Sequence, residues 1–282
     1  MRRINVFWGL CLFFIFSAAA DAALQDTTTA DITAANGETI AASNFIVDNL
    51  LQTPEIALSV YSYSLKVLVP LSIISRINRI HKEGEYKGDE EYEVVLGDGA
   101  VLRGHCRASF TFDRDLGHAG YSIVDIETLV FKHEAATQYT AAPPGKHEAV
   151  VYLKSENQLV LAGASFMAST FRNDPQYRDP VETGYDYPEQ IKLFGDTRST
   201  FVELSWEQIQ SIEPFENNVS GSWADCMVTT KTGRELTGRA NYWWTADRIQ
   251  GIASFGAYQL PVIVTYSDPA IQIKDYIKIE LR

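Results

Sequence analysis

The stretch VVLGDGAVLRG at Val94–Gly104 decides the fold, because a matching stretch, VTTKTGRELTG, occurs at Val228–Gly238, 134 residues further on. Each copy predicts a strand, a tight turn at Gly99 or Gly233, and a returning strand. Glycine readily adopts the positive φ that such a turn requires, and alternating apolar residues give each strand one buried face. The pair therefore predicts equivalent β-hairpins in two halves of one chain.

A second matching block lies upstream of each hairpin. Val69–Ile77 aligns with Leu204–Ile212, here 135 residues apart, and both blocks end in the pattern Ile-x-x-Ile. This spacing predicts a short strand followed by a single helical turn that presses two isoleucines onto a core.

A third pair of blocks lies further upstream. Ile32–Ile40 resembles Tyr152–Val160, with Gly37 opposite Asn157 at an offset of 120. Asparagine is the next best residue for positive φ. The offset grows by about 15 residues before the isoleucine block, which indicates an insertion in the second half. Residues 172–188, rich in proline and tyrosine, predict that insertion as a long ordered loop.

Three blocks in the same order predict an all-β chain of two tandem homologous domains, each resembling a β-barrel or sandwich with short helical turns. The segment 140–146 contains Pro-Pro-Gly and predicts a stiff linker. The first domain is then 23–139 and the second is 147–282, which carries the insertion.

Each half is interpreted as two small strand-rich units, because hairpin, apolar strand and isoleucine block recur as hairpin and Tyr121–Phe131. The fourth unit is degenerate, since Leu260–Tyr266 and Ile271–Ile273 keep strand character and lose the isoleucine spacing. Strand, Asp/Asn-Gly turn, strand and Ile-x-x-Ile turn together resemble small β-barrel units of bacterial envelope proteins and, more distantly, Sm-like and SH3-like barrels. The resemblance implies an architecture and no activity.

The first 22 residues predict a secretory signal peptide. Arg2 and Arg3 precede an apolar run from Val6 to Phe16, and small residues follow up to Ala23. The run is too short to span a bilayer, so no integral membrane segment is expected after cleavage near Ala22. The protein is therefore expected in the periplasm or outside the cell.

Composition limits the partners. The formal net charge is −12 and no clustered basic face is present, so a nucleic-acid partner is not expected. Beyond the signal, Cys106 and Cys226 remain. In an oxidising compartment these two residues form a disulfide in one interpretation and two buried thiols in the other.

Catalytic and cofactor signatures are missing from the sequence. The five histidines lack metal-ligand spacing, so no metal and no cofactor is expected. Ser165 lacks the second glycine of a nucleophile elbow and is interpreted as part of a returning strand. These observations favour a protein that is not an enzyme.

Aromatic residues are the candidate ligand-binding residues. One group follows the fourth hairpin, and exposed indole rings stack on sugars or anchor protein partners. The second group is interleaved with acids in the insertion, and long loops on β scaffolds often carry recognition. The two groups are Tyr242, Trp243 and Trp244, and Tyr177, Tyr185 and Tyr187.

Three functions are compatible with this pattern. The leading hypothesis is an exported, non-catalytic binding or scaffold protein of the cell envelope, whose ligand is a protein or a glycan. The second is an envelope hydrolase with a carboxylate site between the two halves. The third is a structural subunit of an envelope assembly that pairs through exposed strand edges.

Overall fold

The computed structural model describes residues 29–48, 55–62, 65–80, 90–106, 108–115, 117–172, 181–195, 200–220, 223–241, 246–266 and 276–282. Within these ranges the regular elements are 22 strands and three single 3-10 turns. The all-β class is therefore confirmed. The 3-10 turns are Leu71–Ile73, Ile123–Asp125 and Trp206–Gln208.

The strands divide into eleven that precede His147 and eleven that begin at or after it. The first eleven are β1 Ala30–Ala34, β2 Thr39–Asp48, β3 Glu55–Ser62, β4 Leu65–Pro70, β5 Ile74–Ile80, β6 Glu91–Leu96, β7 Val101–Cys106, β8 Ser109–Arg114, β9 Gly117–Ser122, β10 Ile126–Phe131 and β11 Tyr139–Thr140. The others are β12 His147–Leu153, β13 Gln158–Arg172, β14 Val181–Asp186, β15 Gln190–Phe194, β16 Phe201–Ser205, β17 Ile209–Ser220, β18 Trp223–Thr230, β19 Glu235–Asn241, β20 Arg248–Phe255, β21 Tyr258–Thr265 and β22 Tyr276–Leu281.

Strands in the two halves pair in the same order. In the first half the order is β9-β8-β2-β1-β10-β5-β6-β7-β3-β4. In the second half it is β21-β20-β13-β12-β22-β17-β18-β19-β15-β16. All of these pairs are antiparallel, so each of nine neighbour relations in one half has a counterpart in the other.

The pairing order forms two groups of strands in the first half. The hairpin β1–β2 continues into β8, β9 and β10, whereas the hairpin β6–β7 continues into β3, β4 and β5. The two groups join where β10 pairs with β5. The first group thus combines strands from both ends of the half, whereas the second consists of the consecutive strands β3 to β7. Four of the nine pairings join strands that are not consecutive in the sequence.

The four predicted hairpin turns share one backbone geometry. Gly37, Gly99 and Gly233 have positive φ, and the N–H at each of these positions donates to the carbonyl oxygen three residues earlier. The remaining turn, between β12 and β13, differs from the prediction by one residue. Glu156 and not Asn157 has the positive φ there, of 65°. The correct offset for this block is therefore 119.

The isoleucine pairs are buried by a β-bulge. Residues three apart on a regular strand face opposite sides, yet Ile74 and Ile77 are both buried, as are Ile209 and Ile212. The pairing register shifts directly after Ile74 in β5 and after Ile209 in β17. The extra residue returns both isoleucines to one face. The predicted helical turn exists as a 3-10 turn, but it precedes the first isoleucine.

The last strand of the second half lies later in the sequence than predicted. It is β22, in which Tyr276 and Ile279 occupy the register positions that Ile126 and Leu129 hold in β10. Residues 271–273, assigned to this role from the sequence, lie outside the described residues.

The insertion is more ordered than the predicted loop. Residues 181–186 form β14, which pairs with the end of β13 from Ala168 to Arg172. The prediction of a loop throughout 172–188 is therefore wrong for residues 181–186. Apolar and polar residues alternate in Val-Glu-Thr-Gly-Tyr-Asp, which favours a strand paired to the end of β13. Residues 173–180 lie outside the described part.

The halves meet along β4 and β21. These strands pair antiparallel with Val67 opposite Val262, and both valines are fully buried. Tyr258 reinforces the junction, because its hydroxyl accepts from the Asp98 N–H at 2.8 Å and donates to the Ala136 carbonyl at 3.1 Å. One hydrophobic core cluster includes residues of both halves.

No disulfide joins Cys106 and Cys226, both of which belong to the described residues. Each thiol is buried, at 4% and 0% exposure, in its own half. Cys106 lies on β7 and Cys226 on β18, and neither of these strands pairs with the other. The disulfide interpretation is therefore wrong, and the buried-thiol interpretation holds.

Candidate functional site

Two of the predicted tyrosines attach the insertion to the sheet. The Tyr185 ring lies 5.9 Å from the Arg248 guanidinium, and the Tyr187 hydroxyl donates to Gln250 Oε1 at 2.6 Å. Both partners are on β20, which pairs with β13 beside the insertion. Tyr187 remains 43% exposed, so part of its side chain is accessible to a ligand.

The other four predicted site residues cannot be placed. Tyr177, Tyr242, Trp243 and Trp244 lie outside the described residues. Their assignment as ligand-binding residues stays a prediction.

Tyr187 opens onto a cleft of about 390 Å³. Its walls come from the end of the linker, from β13, from the segment between β14 and β15, and from the third 3-10 turn. The cleft therefore lies within the second half and not between the halves. The lining residues are Gly145, Lys146, His147, Ser165, Phe166, Tyr187, Pro188, Glu189, Gln190, Ser205, Trp206 and Glu207.

Gly145, one of the residues that line the cleft, is held against β13 by close backbone contact. The Gly145 N–H donates to the Gly163 carbonyl oxygen at 2.8 Å, and Gly163 has a φ of 57°. A Cβ at Gly145 would collide with the Ala164 carbonyl oxygen, so only glycine fits. This contact positions the neighbouring Lys146 and His147 in the lining of the cleft.

Three rings form the apolar wall. The His147 imidazole stacks on the Trp206 indole at 4.8 Å with an interplanar angle of 13°, and the Phe166 ring lies 4.9 Å from the same indole. Trp206 is only 3% exposed, and its Nε1–H donates to the Arg282 carbonyl oxygen at 3.1 Å. The indole is therefore a fixed structural element, while His147 presents the accessible ring.

Trp206 was not selected from the sequence, although the aligned blocks contain a signal. The equivalent position in the first half is Leu71, and Ser205 replaces Pro70. The serine begins the 3-10 turn, where its N–H donates to Gln208 Oε1 at 2.8 Å. These two differences between otherwise matching blocks are the sequence signal that this turn differs in role from its counterpart.

Glu207 contributes a carboxylate to the cleft, which Lys146 and Glu189 also line. Hydrogen bonds from its own backbone N–H and from the Ser205 hydroxyl lower the pKa of this carboxyl, with smaller contributions from His147 and Lys146. The His147 Nε2 lies 3.8 Å from Glu207 Oε1. In contrast, burial raises the pKa of the Tyr187 phenol. At neutral pH the cleft therefore presents an ionised carboxylate and a neutral hydroxyl.

This arrangement suits binding of a cationic, partly apolar group. A carboxylate beside aromatic rings provides charge pairing and cation–π attraction in one place. Among the described residues, no group of three or more His, Cys, Asp or Glu side chains is arranged to hold a metal ion. Within the same ranges no helix is long and apolar enough to cross a membrane.

Comparisons of the chain with family models, with curated proteins and with solved structures found no match.

Proposed function

We propose that this chain is an exported, non-catalytic binding or scaffold protein of the cell envelope, and that its cleft binds a basic segment of another envelope protein. The observation that carries the proposal is the cleft itself, in which Tyr187, His147 and ionised Glu207 converge on a framework of strands. Export is proposed from residues 1–22, which predict a signal peptide that signal peptidase removes.

A basic protein segment fits this cleft better than a glycan does. Sugars bind tryptophan through an open ring face, whereas His147 and Phe166 lie against Trp206 and the indole is almost fully buried. A lysine or arginine side chain can pair with Glu207 and lie along the exposed Tyr187 ring. The net charge of −12 attracts a basic partner at long range.

The ionised state of Glu207 makes the hydrolase alternative less favoured. Glycoside hydrolysis needs a carboxylic acid whose raised pKa keeps it protonated, so that it can donate to the leaving oxygen. The pKa of Glu207 is instead lowered, which leaves it without a proton at neutral pH. This chemistry is typical of a binding group and not of a general acid.

The proposed architecture is two homologous halves, each composed of two small barrel-like units that have exchanged strands. The support is the shared pairing order together with a 3-10 turn before the closing strand in three of the four units. A hairpin, a second hairpin, a 3-10 turn and a closing strand also underlie the proposed similarity to Sm-like and SH3-like barrels. Such a scaffold holds the cleft walls rigidly.

The test is titration of the purified protein with two fluorescent decapeptides, one in which lysine alternates with serine and one in which glutamate replaces lysine. We expect binding of the lysine peptide only, weakened by salt. Glu207→Gln should reduce affinity several-fold, because it removes the charge that pairs with lysine and keeps the size of the side chain.

Glu203→Gln is the matched control, since it removes an exposed carboxylate outside the cleft, paired with Lys192 at 3.2 Å. Equal losses in the two variants would show that the cleft is not the site and would contradict the proposal. An oligosaccharide array run in parallel distinguishes the partner class. Binding of glycans together with no binding of the lysine peptide would also overturn it.

A further inference from the structure

The junction between the halves joins two different kinds of strand edge. In the pairing order, β4 and β16 are equivalent terminal strands, and so are β9 and β21. Inside the chain, β4 of the first half pairs with β21 of the second. The counterparts β9 and β16 have only one strand neighbour each in the described part of the chain, β8 and β15.

We propose that β16 of one molecule pairs with β9 of a second copy of this chain and reproduces the β4–β21 junction between molecules. The contact is heterologous, because a β4-type edge meets a β21-type edge. A heterologous contact generates a ring when its rotation closes and a filament when it does not. The occupant of each open edge is thus another copy of the same protein.

The junction fixes the expected register. Val67 and Lys66 of β4 correspond to Val202 and Phe201 of β16 through the shared β3–β4 and β15–β16 alignments. In the same way, Val262 and Ile263 of β21 correspond to Ala119 and Gly120 of β9. Transfer of the junction therefore places Val202 opposite Ala119 and Phe201 opposite Gly120.

Side chains at these positions are complementary. Val202 is 45% exposed and Phe201 49% exposed, whereas Val67 at the internal junction is fully buried. Gly120 has no side chain, so its surface can accommodate the Phe201 ring, a pairing known to compensate for a glycine at a strand edge. Seven large apolar residues are exposed in the described part of the chain. This docking would bury two of them, Phe201 and Val202.

The backbone groups have matching orientations. Directly after β21, the Tyr266 N–H donates to the carbonyl oxygen of Asp247, which directly precedes β20. Backbone groups of successive residues point to opposite sides of a strand, so those of Ile263 point to β4. The equivalent Ile123 N–H donates to the Ala108 carbonyl oxygen at 2.9 Å, so the Gly120 backbone faces the open edge. On β16 the Thr200 carbonyl accepts from Gly195, which directs the Phe201 backbone outwards. Both open edges therefore present donors and acceptors in register.

The test is sedimentation velocity of the purified protein from low to high micromolar concentration. We expect weight-average mass to rise with concentration beyond that of a dimer. Val202→Lys should abolish this rise, because the lysine would be buried at the new junction. Val160→Lys, at a 47% exposed valine on β13, should leave the association unchanged.

A second variant tests the opposite edge. Gly120→Pro removes an N–H that faces outwards, so it should block association without loss of a hydrogen bond within the sheet. Circular dichroism verifies the fold of each variant, and Val202→Lys alone decides the outcome if Gly120→Pro fails to fold. A 1:1 mixture of the two variants should form a dimer and nothing larger, since one intact β16 meets one intact β9.

A protein that stays monomeric at all concentrations would overturn the proposal. Self-association of either variant alone, or equal loss of association in Val160→Lys, would also overturn it, because each result requires a different interface. The lysine peptide is absent from this experiment, so its result is independent of the proposed cleft function.

Discussion

Ile212 is the residue at which the repeat pattern can be tested most sharply by mutation. It is fully buried and lies opposite Ile279 on β22, and it faces the core only because a bulge precedes it in β17. Ile212→Ala removes three carbon atoms, for which transfer alone costs about 2.4 kcal/mol at about 0.8 kcal/mol each. With the cavity left behind, we expect a total of about 3 to 4 kcal/mol, within the range for such changes.

Urea unfolding followed by circular dichroism measures this loss as a lower midpoint with an unchanged slope. Ile77→Ala, the first-half equivalent opposite Leu129, should lose a similar amount. The control is Val130→Ala, at the residue that follows Leu129 on β10. Val130 is 38% exposed, so this change should alter stability by less than about 0.5 kcal/mol. A loss for Ile212→Ala no larger than that of Val130→Ala would refute the assignment of the bulge and of the buried pair.

Three further outcomes are expected. Gly104→Ala should cost about 1–3 kcal/mol in urea unfolding, because a Cβ there would collide with the Ser59 carbonyl oxygen, while Gly120→Ala, with its nearest atom at 3.8 Å, should be nearly neutral. Tyr258→Phe should lower stability by about 1–3 kcal/mol in the same assay, since the Asp98 N–H and Ala136 carbonyl lose their partner. Burial raises the pKa of the Cys106 thiol to about 12, so Cys106 should react with a maleimide only after unfolding, as detected by mass spectrometry.

Local features of this fold could be predicted from the sequence. The hairpins at Gly99 and Gly233 followed from turn chemistry, which depends on four neighbouring residues. The bulges after Ile74 and Ile209 did not, because Ile-x-x-Ile fits a helical turn and a bulged strand equally well. The closing strand that begins at Tyr276 was missed for a related reason, since an aromatic residue replaces the first isoleucine there.

The pairing of β1 with β10 and of β2 with β8 could not be predicted, because pairing partners are not encoded locally. β2 pairs with β8, yet β3 has the same alternation and lies nearer in sequence. The cleft was found in part. Tyr187 was selected from its place in the insertion, whereas Trp206 and His147 come from other segments and meet only through the fold. Chemistry that depends on three distant segments leaves no spacing pattern.

Cross-strand backbone NOEs in the deuterated protein test the exchanged pairing most directly. In the first half, NOEs should connect Ile32 with Leu129 and Ile77 with Val94. The corresponding pairs of the second half should give the same pattern. These are Val151 with Ile279 and Ile212 with Val228. NOEs that instead connect Ile32 directly with Ile77, or a second half with a different set of pairs, would contradict two equivalent halves with exchanged strands.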